Sequence, residues 1–129
     1  MATEVPGYKH TGYTASSDLS SSRYRAVKIS GVRTVTAIAA ITDKPFGVLQ
    51  NAPTSGQVAE IMAQGRSKME ASAAITAGAT VGVSANGRAV TIAPGTDTTQ
   101  YILGIAEDTC SNAGEIISVY LTGGHGRAT

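Results

Sequence analysis

Two histidines, one cysteine and nine carboxylates are the side chains from which this 129-residue chain would have to assemble reactive chemistry. Nucleophilic catalysis needs a base held against a nucleophile. His10 lies in a Ser/Thr/Tyr-rich N-terminal stretch and His125 in a Gly-rich C-terminal one, and neither stretch reads as a rigid element. A Ser-His-Asp or Cys-His site is therefore not expected, and no residue is assigned a catalytic role. Cys110 is the sole cysteine, which excludes an internal disulfide and reads as an inert thiol. Zinc takes four protein ligands in a closed site and three in an open one. One cysteine and two widely separated histidines do not supply them. Asp43, Asp97, Glu107 and Asp108 offer at most weak calcium ligands, because no Asp-x-Asp-x-Asp-Gly loop is present. Glu107-Asp108 reads instead as a solvated strand edge that discourages wrong pairing. The run Gly123-Gly124-His125-Gly126 lacks the Lys-Ser/Thr ending and the following helix of a phosphate loop. No metal or cofactor is expected.

Charge points away from bulk electrostatic partners. Ten Lys and Arg stand against nine Asp and Glu, so attraction to nucleic acid or to an anionic membrane is not expected. The distribution is uneven. Residues 1–33 hold Lys9, Arg23, Arg25, Lys28 and Arg33 against Glu4 and Asp18, while the remainder holds five cations and seven anions. A mildly basic N-terminal third suits an acidic surface, or is a solvated arm. Tyr24 among Arg23, Arg25 and Lys28 is a single basic-aromatic cluster, which reads as a structural patch rather than a nucleic-acid platform. No apolar run approaches the length of a membrane span. The start Met1-Ala2-Thr3-Glu4 has neither a charged n-region nor an apolar h-region, so synthesis in the cytoplasm is expected.

The elements that must position these residues divide into three parts. Residues 1–23 contain twelve Ser, Thr, Gly or Tyr and few large aliphatics. Such a segment cannot bury enough to fold alone. It is expected to be an extended arm held by a partner or a neighbouring subunit, the alternative being an arm pinned on its own domain. Tyr8, Tyr13 and Tyr24 suit anchoring, since each has a large apolar body and a polar tip. Residues 24–121 read as a β-rich core. Residues 122–129 form a Gly-rich, irregular tail.

Within the core, Tyr24 to Ile29 alternates with a two-residue period, and Thr34 to Ile41 is a second β-rich run. Phe46 to Leu49 is a short strand between Pro45 and the turn-rich Asn51–Gly56 loop, with Phe46 as a core anchor. Val58 to Gln64 and Ser67 to Ala73 resemble a hairpin bent at Gly65. A helix competes over Gln57–Met69, but Gly65 inside it would cost about 1 kcal/mol, so strand is preferred. Asn86-Gly87 predicts a tight hairpin, with Val81, Val83, Val90 and Ile92 supplying the inner face. Tyr101–Thr109 and Glu115–Leu121 predict a last strand pair. Closely spaced strands without alternating helices point to an all-β, compact antiparallel barrel or sandwich.

Several segments, in order, carry a resemblance. They are Pro45-Phe46-Gly47-Val48-Leu49-Gln50-Asn51-Ala52-Pro53, Ala74-Ile75-Thr76-Ala77-Gly78, Asn86-Gly87-Arg88-Ala89, Leu103-Gly104-Ile105-Ala106 and Gly114-Glu115-Ile116-Ile117. Over residues 24–121 the chain is similar to the cement, or head-decoration, proteins of tailed phages. The resemblance implies a barrel-like or tulip-like β domain on the outside of an expanded icosahedral head. There it would clamp neighbouring major capsid subunits, as a trimer by preference or a dimer. The motifs do not reach the arm. From position and chemistry, Tyr8, Lys9, Tyr13, Arg23 and Arg25 are the residues expected to touch the capsid. The competing readings are a head-fibre base or tail-associated β module, and, from a different class, a small enzyme or carbohydrate-binding module. Copy number per particle separates the first pair, and a cleft with perturbed titratable groups would mark the enzyme.

Overall fold

The computed structural model describes residues 8–122 and Gly126; the side chains of Tyr8 and Thr11 are not described. Residues 1–7 of the expected arm, most of the expected tail and His125 lie outside the described residues. Nine strands form, and no helix forms among the described residues: β1 (Tyr8–Ala15), β2 (Ala26–Gly31), β3 (Thr34–Ala37), β4 (Gly47–Leu49), β5 (Val58–Glu70), β6 (Thr80–Val83), β7 (Ala89–Thr91), β8 (Gly104–Ala106) and β9 (Ile116–Thr122). The all-β class and the barrel expected from the strand spacing are the observed fold.

β1, β3, β2, β4 and β5 pair in that order, and β5 pairs back with β1, closing a five-stranded barrel. Four of these pairings are antiparallel; β1 and β3 run parallel. Ala15, Leu19, Val27, Val35, Leu49, Ala59 and Ile61 fill the barrel, with Tyr13, Ala37 and Phe46 against them. The sheet continues from β5 through β9, β8 and β6 to β7. Its far strand is tied back at one point: Ala71, just past β5, bridges to Ala89 of β7, and Ser72 N–H donates to the Ala89 carbonyl at 2.9 Å. A second core lies here, centred on Met69, Val81, Val83, Ile117, Val119 and Leu121.

β5 is one continuous strand, not the hairpin its sequence suggests. Gly65 takes φ 105°, a conformation L side chains rarely adopt, yet the chain does not reverse. The ladder to β1 ends at Gln64 and the ladder to β9 runs from Gln64 to Glu70. Ile61 faces the barrel core and Met62 the second core. The glycine thus marks where one strand leaves the barrel and enters the second sheet.

Residues 8–15 are also tied differently from the expectation. They are extended, but no neighbouring subunit is needed to hold them, because β1 hydrogen-bonds into its own chain's barrel against β5 and β3. Leu19 is buried, and its N–H donates to the Pro53 carbonyl at 2.9 Å. Polar side chains do not prevent this, since strand pairing satisfies backbone groups whatever the side chains.

The β6–β7 connection spans Ala85 to Gly87. Only Gly87 has positive φ (82°), and Ser84 N–H donates to the Arg88 carbonyl at 2.8 Å. This is the three-residue loop closed by a glycine, not the two-residue turn that Asn-Gly suggests. Val81, Val83 and Ile92 are buried as expected, while Val90 is half-buried. The carbonyl of Gly87 accepts from Ala26 N–H at 2.8 Å, which docks the hairpin tip on β2.

Candidate interaction surface

The residues expected to touch a partner fall into two places. Lys9 and Tyr13 lie on β1, in register with Met62 and Ala59 of β5, and Tyr8 is in register with Gln64. Lys9 is exposed. Tyr13 is half-buried, its ring 5.0 Å from that of Phe46, and the His10 ring stacks on Phe46 at 4.1 Å and 14°. His10 therefore lies on a rigid strand, contrary to expectation. Burial pushes its pKa below the ordinary imidazole value, and its ring contacts are aromatic. Phe46 serves as the anchor of this aromatic group at the barrel wall rather than as a fully buried core residue.

Arg23 and Arg25 lie elsewhere. Arg23 is exposed; its Nε donates to the Gln50 carbonyl at 3.0 Å and its guanidinium carbon is 4.8 Å from the Tyr24 ring centroid. Arg25 Nε meets Glu70 Oε1 at 3.3 Å, and Arg88 Nη1 meets Glu70 Oε2 at 3.3 Å. Glu70 and Arg88 were not visible as site residues in the sequence, because the fold brings Glu70 to Arg25 across 45 residues and to Arg88 across 18. No hydrogen bond, ion pair or ring contact among the described residues links this group to Tyr13.

No group of three or more His, Cys, Asp or Glu among the described residues is placed to hold a metal. Cys110 is buried, with its Sγ 3.5 Å from the Ala73 carbonyl oxygen. A cavity of about 380 Å³ is lined, among the described residues, by Ile29, Lys44, Pro45 and Phe46, which offer one amine. Beside it, Asp43 accepts from Lys28 Nζ at 2.9 Å and from the Ala39 and Ala40 N–H groups at 2.8 and 3.0 Å. These bonds, that of Lys28 first, hold its carboxyl below the ordinary range and brace the loop after β3.

The comparisons with known proteins bear on this assembly of barrel, second sheet and interaction groups. A family profile described as "Phage cement protein" matches residues 10–121. The chain belongs to the phage cement protein family. The match runs from within β1 nearly to the end of β9, so it includes both the barrel and the second sheet. Among solved structures, the cement chain is similar to the head fiber gp8.5 N base in bacteriophage phi29, with a TM-score of 0.66 at 17% identity, covering 92% of this chain and 96% of that one. At that identity the likeness is one of fold. No curated protein matches the chain. Membership makes this a structural protein of the phage virion, associated with the capsid.

Proposed function

We propose that this protein decorates the outer surface of the expanded phage head and stabilises it against the pressure of packaged DNA by bridging major capsid subunits. The family match over residues 10–121 is the observation that carries this reading. The fold supports the mechanical part. A closed barrel and a second sheet that share the continuous strand β5 make a single β body, and the Ala71–Ala89 bridge ties the far end of that sheet back to the residue after β5. Small interfaces gain strength when repeated over a shell and when several are engaged at once.

In this reading residues 1–23 are the gripping segment, of which β1 is paired into the barrel, residues 24–121 are the body and 122–129 a tail. Tyr8, Lys9, Tyr13, Arg23 and Arg25 touch the capsid. β1 pairs with β5 from Tyr8 to Thr14 and with β3 only at Thr14 and Ala15, and in this reading the grip comes from its side chains. The protein acts as a homo-oligomer, preferably a trimer, and performs no catalysis. It contacts no nucleic acid or membrane directly.

The head-fibre base is the second reading, favoured by the shared fold. Quantitative mass spectrometry of purified virions separates the two: many copies per particle, scaling with capsomers, support the cement role, and a number confined to one vertex or a few sites supports the fibre base.

A further inference from the structure

The outward side of the second sheet carries a contiguous cationic and aromatic patch. Along β5, Ser67 and Met69 are buried, so Arg66, Lys68 and Glu70 stand on the opposite side. Arg25 and Arg88 share the single carboxylate of Glu70. Arg66 takes Glu107 at 2.7 Å, with Asp108 close enough to add a second negative charge. Arg23 and Lys68 have no carboxylate within ion-pair distance among the described residues. They lie over the Tyr24 ring instead, at 4.8 and 5.9 Å. The patch continues across the sheet through Tyr120, in register with Arg66, to Ile105, in register with Tyr120. Both are about half exposed, at 50% and 45%.

The backbone at the centre of this patch is strained. Tyr24 has φ 64°, a genuine outlier for a bulky residue. It is held there by its N–H donating to the Leu49 carbonyl at 2.8 Å and by its carbonyl accepting from Glu70 N–H at 2.9 Å. The strained position sets the ring against two cations that have no carboxylate partner among the described residues. Strain of this kind persists where the surroundings over-determine it, and it clusters at functional sites.

We propose that this patch is a docking surface for a carboxylate-rich protein segment. Arg23 and Lys68 receive the carboxylates, and Tyr24 and Tyr120 supply the apolar contact. A polynucleotide fits less well, since Glu70, Glu107 and Asp108 interrupt the cations and would face a continuous phosphate chain. An acidic loop can set its charges singly against Arg23 and Lys68, and such complementarity governs specificity and rate of encounter. Only the identity of the partner, an acidic surface of the head shell, rests on the function proposed above; the carboxylate-binding chemistry stands on the patch itself.

The test has two arms, both with full-length protein. In the first, a labelled poly-glutamate peptide and a single-stranded oligonucleotide are titrated at low salt by fluorescence anisotropy. The wild type is expected to prefer the peptide. The R23E/K68E variant should bind it about tenfold more weakly or worse, and K44E, beside the cavity, should bind as the wild type does. Tyr24→Gly, which relieves the strained φ, should lose peptide affinity while its resistance to urea is equal or higher. Equal peptide binding by wild type and folded R23E/K68E, or tighter binding of the oligonucleotide, would overturn the proposal. The second arm repeats the comparison on undecorated heads. Loss of binding by R23E/K68E extends the proposal to the shell, and equal binding by both forms overturns the docking role there. Discrimination on the peptide without any wild-type binding to heads would retain the carboxylate site and remove the head shell as its partner.

Discussion

Gln64 is in register with Tyr8 of β1 and also with Thr122 of β9. At this single residue the strand that closes the barrel gives way to the strand that opens the second sheet. The next residue, Gly65, has φ 105° and lets β5 continue through the change of partner. The change of partner along β5 therefore falls at one glycine in the longest of the described strands.

Replacing Gly65 by Val should destabilise the fold by about 1–3 kcal/mol, the cost of holding an L residue in a sparsely populated backbone region. Urea unfolding at fixed pH checks this. A variant as stable as the wild type would mean that β5 does not need this conformation.

Deletion of residues 1–15 should abolish cooperative unfolding or drive association, because it removes β1 and opens the barrel between β3 and β5. Deletion of residues 1–7 should leave every described ladder intact and the unfolding midpoint close to the wild-type value. Size-exclusion chromatography with urea denaturation distinguishes the two. A stable monomeric core lacking residues 1–15 would contradict the role given to β1.

These two elements also show where the sequence was legible and where it was not. Alternating residues marked β2 and the β6–β7 hairpin, and the runs Tyr101–Thr109 and Glu115–Leu121 marked the β8–β9 pair. β1 left no such mark. Its Tyr, Lys, His and Thr residues carry little apolar content, and it becomes a strand by backbone pairing with β5 and by a parallel pairing with β3, both non-local. Gly65 read as a bend because sequence shows that a residue tolerates positive φ without showing whether the chain reverses. Arg23 and Arg25 were legible as exposed or half-exposed cations. Glu70 and Arg88, which complete the Arg25 cluster, were not, because no local pattern predicts which strand faces which.

Gly87→Ala should destabilise the protein by about 1–3 kcal/mol. Its φ is 82°, and an added Cβ would stand 2.6 Å from the Ala26 carbonyl oxygen, where the hairpin tip meets β2. Amide hydrogen exchange should rise at Ala26, whose N–H is bonded to Gly87. Unchanged protection there would show that the hairpin tip is not what fastens the second sheet to the barrel.

Stability should fall on acidification below neutral. Burial lowers the pKa of His10, so the unfolded chain takes up the proton first as pH drops through about 6.5. The folded state is favoured fully above that value and loses ground until the lower folded pKa is reached, below which this contribution levels off. Melting curves between neutral and mildly acid pH should show a smaller decline for His10→Phe, which keeps an aromatic ring against Phe46 and cannot titrate. Parallel declines in the two proteins would remove His10 as the cause.

The central claim is that this β body binds the outside of the expanded head in many copies. Its most direct test is cosedimentation of the purified full-length protein with undecorated, expanded heads of the same virus, counting bound copies at saturation. Saturable binding at a stoichiometry that scales with capsomers, together with heads that survive heating or chelation longer once decorated, is the predicted result. Folded protein that leaves the heads bare, or that stops at a few copies on one vertex, would contradict the account.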